Sequence, residues 1–395
     1  MISVQEAQKI VLKNSLDFGS EKIPFIKSVG RVLKEDILAD RDFPPFNRVS
    51  MDGIALDYTS FKNGERAFFI EGIQPAGSPQ ISLSNNKNCI EVMTGAVLPA
   101  NTNVVIRYED VLIEHGIATI QIEEVSYFQN IHEKGKDRKE GDILIQKNKR
   151  IAASEIGVLA TVGSSKVMVA KQPKVMIIST GDELVDVNET PLDHQIRMSN
   201  VYTLVSLLDR LHVSSKTDHI SDDKPILKKK IKEYLKEFDV LLFSGAVSKG
   251  KFDFLPEVFK ELGVEKLFHK VSQRPGKPFW FGQMKTCRLF AFPGNPISTF
   301  ANCLAYFYPW YFKSLGVNTT EETAILTENV SFKPNLTYFL QVKLTHKNGH
   351  LLATPIKGNG SGDLASLVNS DAFIQLPKDK NEYKKGENYP IIRYR

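Results

Sequence analysis

The sequence predicts a multidomain protein of the α/β plus β class, with an α/β domain lying between two regions made mainly of strands. Three observations carry this. First, three uninterrupted apolar runs recur: Val175-Met176-Ile177-Ile178, Val240-Leu241-Leu242-Phe243 and Leu289-Phe290-Ala291-Phe292. Each suits a strand buried on both faces, and they alternate with helical patterns, which implies a parallel sheet with right-handed crossovers. Second, from about 47 to 139 the segments are short, rich in β-branched residues and broken by Gly, Asn and Pro, as in a small β domain. Third, strand-like runs return from about 325 to 395.

Taken in order, the chain opens on a helix, because Val4, Ala7, Val11 and Leu12 recur near the helical period. A short run from Val32 to Leu38 leads to Asp42-Phe43-Pro44-Pro45-Phe46, whose two prolines forbid a regular helix and mark a linker or hinge. Strands are expected at Ala67–Glu71, Cys89–Met93, Val104–Tyr108 and Ile117–Val125. Ile151 to Val162 is apolar at helical spacing and resumes a compact region, so the β segment reads as an insertion between two halves of one domain. In the α/β region, helices are expected at Val201–Leu211, Pro225–Phe238, Leu255–Leu262 and Ile297–Phe312. C-terminal strands are expected at Tyr338–Leu344, Leu351–Pro355, Ala372–Leu376 and Tyr389–Arg393. The domains expected are a discontinuous one at 1–45 and 140–172, an inserted β domain at 46–139, an α/β domain at 173–322 and a β domain at 323–395.

Composition narrows the function. A chain of 395 residues has room for two to four domains, and 42% hydrophobic with 25% charged residues is an ordinary globular balance. It excludes a mostly disordered chain, a collagen-like repeat and a disulfide scaffold. The net charge of +5 permits an anionic ligand but gives no argument for nucleic acid. Cys89, Cys287 and Cys303 are odd in number and lack metal-ligand spacing, so buried free thiols are expected. The N-terminus does not look like a signal peptide, and no apolar run approaches the roughly 18 residues of a membrane span, so a cytoplasmic protein is expected. There is no Walker-type loop, no Gly-x-Gly-x-x-Gly after a strand and no Gly-x-Ser-x-Gly elbow, and the histidines are scattered. ATPase, nicotinamide dehydrogenase, serine hydrolase and zinc enzyme all lose weight.

The loops after the three buried strands should emerge at one sheet edge, where open α/β folds bind ligands. The first offers Thr180, Gly181, Asp182 and Glu183. The second offers Ser244 and Gly245, then Lys249, Lys251 and Asp253. The third offers Pro293-Gly294-Asn295-Pro296 and Ser298. Glycines and helix starts favour an oxyanion, whereas adjacent carboxylates repel one unless a divalent cation such as Mg²⁺ bridges them. The alternative is that Asp182 and Asp253 each cap a helix. Arg274-Pro275-Gly276-Lys277-Pro278 sets two cations about a Pro-Gly turn; it suits an anion with several oxygens, or is a solvated turn. Ser50-Met51-Asp52-Gly53 and Thr94-Gly95-Ala96 read as turns, and Lys134-Gly135-Lys136-Asp137 as a charge-rich loop.

Taken in order, these motifs resemble one family. Asp42-Phe43-Pro44-Pro45-Phe46, Ser50-Met51-Asp52-Gly53, Thr94-Gly95-Ala96 and Pro99 look like its first block. Gly135, Asp137, Gly141 and Asp142 fit its second. Ser179-Thr180-Gly181-Asp182-Glu183-Leu184, Ser244-Gly245 with Asp253, Pro275-Gly276-Lys277-Pro278 and Pro293-Gly294-Asn295-Pro296 complete the series. The chain is similar to the molybdopterin molybdenumtransferases, the MoeA family, which includes the E domain of gephyrin. The resemblance implies an elongated homodimer with four domains per chain: the discontinuous one, the inserted β domain, a molybdopterin-binding α/β domain and a C-terminal β barrel. It implies an enzyme that takes adenylylated molybdopterin and molybdate, inserts molybdenum at the dithiolene and releases AMP with Mg²⁺. A molybdopterin adenylyltransferase is the implied delivery partner.

On this resemblance Glu183, Asp222 and Asp253 line the pterin, phosphate and Mg²⁺ region, without separating metal ligands from pterin contacts. Arg274, Lys277 and Ser298 receive molybdate or the substrate phosphate, with Ser244, Gly245, Pro278, Pro293, Gly294, Asn295 and Pro296 around the substrate. Asp52, Thr94 and Asp137 reach in from the partner subunit. The chain departs from the family pattern at Ile54 (usually Tyr), His132 (usually Arg), Lys136 (usually Glu), Ala246 (usually Gly, with a Lys at 249), Arg274 (usually Lys) and Gln341 (commonly Arg). Lost arginines weaken anion binding in this reading, and Lys136, Lys249 and Lys251 compensate in part. Two alternatives stay open: adenylyl transfer from ATP to molybdopterin, and a non-catalytic molybdopterin-binding scaffold.

Overall fold

The computed structural model describes residues 1–247 and 253–395. They form two compact units, one of Met1–Lys34, Asn148–Ala153 and Lys166–Arg395, the other of Glu35–Lys147 and Ser154–Ser165. In the first unit, helix α1 (Val4–Lys13) starts where Ser3 and Glu6 form a reciprocal capping box, and it buries Val4, Ala7 and Val11. Such a cap is worth about 1 kcal/mol.

The centre of this unit is a six-stranded sheet of β1 (Val175–Thr180), β2 (Ser215–Ile220), β3 (Val240–Ser244), β4 (Glu265–His269), β5 (Trp280–Met284) and β6 (Cys287–Phe292), in the order β2-β1-β3-β6-β5-β4. Strands β2, β1, β3 and β6 run parallel, and every residue of β1, β3 and β6 is buried. Alternate residues enter two cores. Ile177, Leu242 and Phe290 join one with α2 (Asn200–Asp209), the helix pair α5 (Pro296–Asn302) and α6 (Tyr308–Ser314), and α1. Ile178, Phe243 and Leu289 join the other with α3 (Lys224–Glu237) and α4 (Leu255–Glu261).

Two features depart from the simple parallel reading. The last two strands of the order, β5 and β4, are antiparallel to their neighbours. Met284 pairs with Cys287, which leaves Lys285 and Thr286 as a two-residue connection, and so short a link can only join antiparallel strands. The continuous helix expected over 297–312 is divided by a π-helical segment at Cys303–Phe307.

After α6 the chain forms β7 (Glu322–Leu326), β8 (Thr337–Lys347), β9 (His350–Pro355), β10 (Ala372–Leu376) and β11 (Asn388–Arg393). They pair in the order β8-β9-β7-β11-β10, and β10 pairs again with β8, closing a five-stranded barrel around Leu326, Val342, Ala353 and Ile374. Gln273 and Arg274 add to β8 as a short parallel strand, so the barrel is hydrogen-bonded to the residues that lead into the Pro275–Pro278 turn.

The second unit is built on a six-stranded sheet in the order Val104–Arg107, Gly53–Leu56, Asn88–Val92, Ala67–Gln74, Ile117–Ile120, Val111–Glu114. Gly53 is not a turn residue: it opens a buried strand and pairs with both Val92 and Arg107. Ile54 is fully buried in the core of this unit.

Phe290 packs against Phe279, Phe281, Phe292, Phe307 and Trp310. Truncation to Phe290→Ala is expected to destabilise the first unit by about 3–5 kcal/mol, read as a lower denaturant midpoint.

Candidate active site

The three loops do emerge together. After β1 come Gly181 and Glu183, after β3 Gly245 and Ala246, and after β6 the Pro293–Pro296 segment that runs into α5; all line one cavity of about 510 Å³. Gly245 has φ +111°, and a Cβ there would lie 2.9 Å from Thr180 Oγ1 and 3.0 Å from Thr180 O, so the second loop can approach the first only with glycine. Thr180 Oγ1 is buried and has no hydrogen-bond partner.

Glu183, Asp222 and Asp253 all line this cavity. Neither aspartate of the capping alternative stands at a helix N-cap position. Asp182 accepts a 3.0 Å bond from the Asp222 backbone N–H, and the residue preceding α4 is Phe254, with no side-chain cap. The cap of α3 is Asp223, whose Oδ1 accepts from Ile226 N at 2.9 Å, which leaves the neighbouring Asp222 to the cavity. Burial raises the Asp222 carboxyl above the usual range, and the charges of Asp182, Glu183 and Asp253 raise it further.

This crowding tests the fit of a cation. The donors are carboxylate oxygens, the hard ligands that Mg²⁺ prefers, and a cation beside them would relieve their repulsion. Among the described residues, no three His, Cys, Asp or Glu side chains form a ready-made metal set. A divalent cation here would therefore have one or two of these carboxylates as ligands.

A second cavity, of about 430 Å³, adjoins the first and shares Pro293, Gly294 and Asn295 with it. Arg274, Lys277, Pro278 and Ser298 line it, along with residues of the barrel. Both cations are exposed and Ser298 is buried. The Arg274 guanidinium lies 6.0 Å from the centre of the Phe332 ring, which itself stacks on Tyr338 at 4.2 Å. Gln341 also lines this cavity, and its Nε2 is buried without a partner.

The remaining candidates lie in the second unit. Asp52 accepts from Thr94 N at 2.6 Å and from Thr94 Oγ1 at 2.8 Å, and these bonds lower its pKa. Asp137 is 2.8 Å from His132 Nε2, so one departure from the family pattern contacts a candidate residue directly. Lys249 and Lys251 lie outside the described residues.

Sequence reasoning missed Asn200. Its Nδ2 donates to Ser244 Oγ at 2.8 Å and to Gly294 O at 2.6 Å, tying the second loop to the third. Ser244 is thereby part of the frame: its Oγ also lies 3.5 Å from Thr299 Oγ1, which donates to Pro293 O at 2.6 Å. Asn200 stands at the start of an apolar helix, where a short polar residue reads as an ordinary helix start.

Loops at one edge of a parallel sheet, with an acidic cavity and an adjoining cationic one, define an open α/β protein whose candidate ligand site lies at the strand ends. Comparison with known proteins makes this specific. Residues 2–163 match the MoeA N-terminal region (domain I and II), 176–310 a probable molybdopterin binding domain and 323–394 the MoeA C-terminal region (domain IV). A molybdopterin molybdenumtransferase of Synechocystis is 39% identical over 400 residues, covering 100% of both chains. One from Staphylococcus epidermidis is 31% identical, covering 99% of this chain and 95% of its own. The crystal structure of the molybdopterin biosynthesis MoeA protein from Pyrococcus horikoshii OT3 superposes with a TM-score of 0.85 at 28% identity over 100% of both chains. The chain belongs to the MoeA family of molybdopterin molybdenumtransferases. The match to both flanking MoeA regions disfavours the adenylyltransferase alternative.

The folded state penalises charge on Asp222, so removing it is expected to stabilise the protein. Asp222→Asn should raise Tm slightly at pH 7. The gain should vanish in acid, because below the ordinary carboxylate pKa of the unfolded chain Asp222 is protonated in the folded and unfolded states alike. Thermal unfolding of both proteins across pH reads this directly.

Proposed function

We propose that the chain inserts molybdenum from molybdate into adenylylated molybdopterin and releases AMP, a step of molybdenum cofactor biosynthesis. The carrying observation is the pair of cavities of opposite character that share the Pro293-Gly294-Asn295 loop. In this reading the acidic cavity takes the pterin and phosphate part of the substrate, and the cationic one takes molybdate beside it. One or two of Glu183, Asp222 and Asp253 would hold Mg²⁺. When bound, Mg²⁺ supplies positive charge that offsets the phosphates as the phosphoanhydride bond breaks.

The protein's own contribution is mostly positioning. Lys277 binds a molybdate oxygen as a point charge, and Arg274 offers its planar fork. Ser298 and the Gln341 amide add neutral donors. Gln341 stands where an arginine is common, and its unpartnered Nε2 supports a bond to the oxyanion without a formal charge. Asn200 keeps the second and third loops together around the substrate.

The active form in this reading is a homodimer in the cytoplasm, where three free thiols suit a reducing compartment. Among the described residues, no helix is long and apolar enough to cross a membrane. The partner subunit's Asp52, the partner's Thr94 and the partner's Asp137 complete each site. A molybdopterin adenylyltransferase is the natural source of the adenylylated substrate.

Purified protein supplied with adenylylated molybdopterin and Mg²⁺ should release AMP when molybdate is added and should form active cofactor. Tight binding without release would instead identify a scaffold, and ATP consumption an adenylyltransferase. Intersubunit sites have a separate signature. Asp52→Asn and Lys277→Ala should each be inactive alone. Subunits mixed at random should recover about a quarter of wild-type activity, since half of the dimers then carry one intact site of two. Sites formed within one subunit would recover none.

A further inference from the structure

Beneath the Arg274–Lys277 turn lies a polar frame that the reaction as described does not use. Gln273, Asn302 and Tyr306 are all fully buried. Gln273 Nε2 donates to Pro275 O at 2.9 Å and to Asn302 Oδ1 at 2.7 Å. Asn302 Nδ2 donates to Gly276 O at 3.2 Å. The Tyr306 hydroxyl donates to Gln273 Oε1. Three buried side chains thus hold the two central carbonyls of the turn, while Arg274 and Lys277 on either side remain exposed.

The turn and the frame are fitted to each other. Gly276 has φ +86°, and a Cβ there would fall 2.5 Å from Asn302 Oδ1. Any other residue at 276 would displace Asn302 or open the turn. Asn302 ends α5, and the π-helical segment that follows carries Tyr306 on to the frame; such interruptions recur at functional sites.

Stability alone does not call for these groups. A buried hydrogen-bonded network contributes little over apolar residues of the same shape, whereas a satisfied network fixes one geometry. The geometry fixed here is the separation of two cations on long side chains. Holding their backbone rigid lowers the ordering cost of placing both on one small anion.

We propose that Asn302, with Gln273 and Tyr306, is a positioning residue for oxyanion capture, setting the spacing of Arg274 and Lys277. This rests on the reading that those two cations receive molybdate, and it adds residues that never touch the substrate.

The test measures molybdate binding by equilibrium dialysis, AMP binding by calorimetry, and Tm, in wild type, Asn302→Leu, Tyr306→Phe and Lys277→Ala. Asn302→Leu should weaken molybdate binding about tenfold while AMP binding stays within about twofold. In turnover it should raise KM for molybdate and leave kcat at saturation nearly unchanged, a split that a general loss of structure does not produce. Tyr306→Phe keeps the ring and its packing, and should shift molybdate binding about threefold in the same direction. If Asn302→Leu fails to fold, Tyr306→Phe decides. Unchanged molybdate binding in folded frame variants, with Lys277→Ala impaired, overturns the proposal and spares the reading of the site. Unchanged binding in Lys277→Ala overturns the reading of the site, and the proposal with it.

Discussion

The parallel pairing of Val175–Thr180, Val240–Ser244 and Cys287–Phe292 is the constraint from which the site follows. Parallel strands leave a sheet at the same edge, so three loops separated by long stretches of chain are delivered side by side. That pairing requires both faces of the sheet to be covered, and alternate residues of each strand fill separate cores on its two sides. The apolar runs that make the sheet therefore also place the polar loops.

Charge is then divided across a single loop. On one side of Pro293-Gly294-Asn295 stand Glu183, Asp222 and Asp253; on the other stand Arg274 and Lys277. The acidic set is unfavourable alone, as the raised pKa of Asp222 records. The carboxylate set would become favourable beside a cation, and the cationic set suits an anion. The two cavities differ in how they are held. The acidic one is tied by Asn200 across two loops. The cationic one sits on a buried amide frame and on the strand pairing of Gln273 and Arg274 with the barrel.

Much of this was legible in the sequence, for physical reasons that vary by element. Val175–Ile178 and Val240–Phe243 could be read because a strand buried on both faces must be continuously apolar. The antiparallel strand Trp280–Met284 could not, because its turn uses Lys285 and Thr286 in place of Gly or Asn, with Lys285 carrying the positive φ. Nothing in the sequence separates Asp222 from Asp223 as the cap of α3, because they are adjacent and one residue of register decides which of them caps. Ser50-Met51-Asp52-Gly53 looked like a turn, yet its glycine lies in a buried strand. Asn200 and Asn302 were invisible because an asparagine at a helix start or end has an ordinary local role. The candidate site residues came from the ordered motifs rather than from periodicity.

The most direct test locates the oxyanion itself. Tungstate has nearly the size and charge of molybdate, and its metal is found by anomalous diffraction. In crystals grown with AMP and Mg²⁺ and soaked in tungstate, the account predicts a tungsten peak in the cavity lined by Arg274, Lys277 and Ser298, with AMP in the adjoining acidic cavity. A tungsten peak among Glu183, Asp222 and Asp253, or none in the cationic cavity at saturating tungstate, would contradict it.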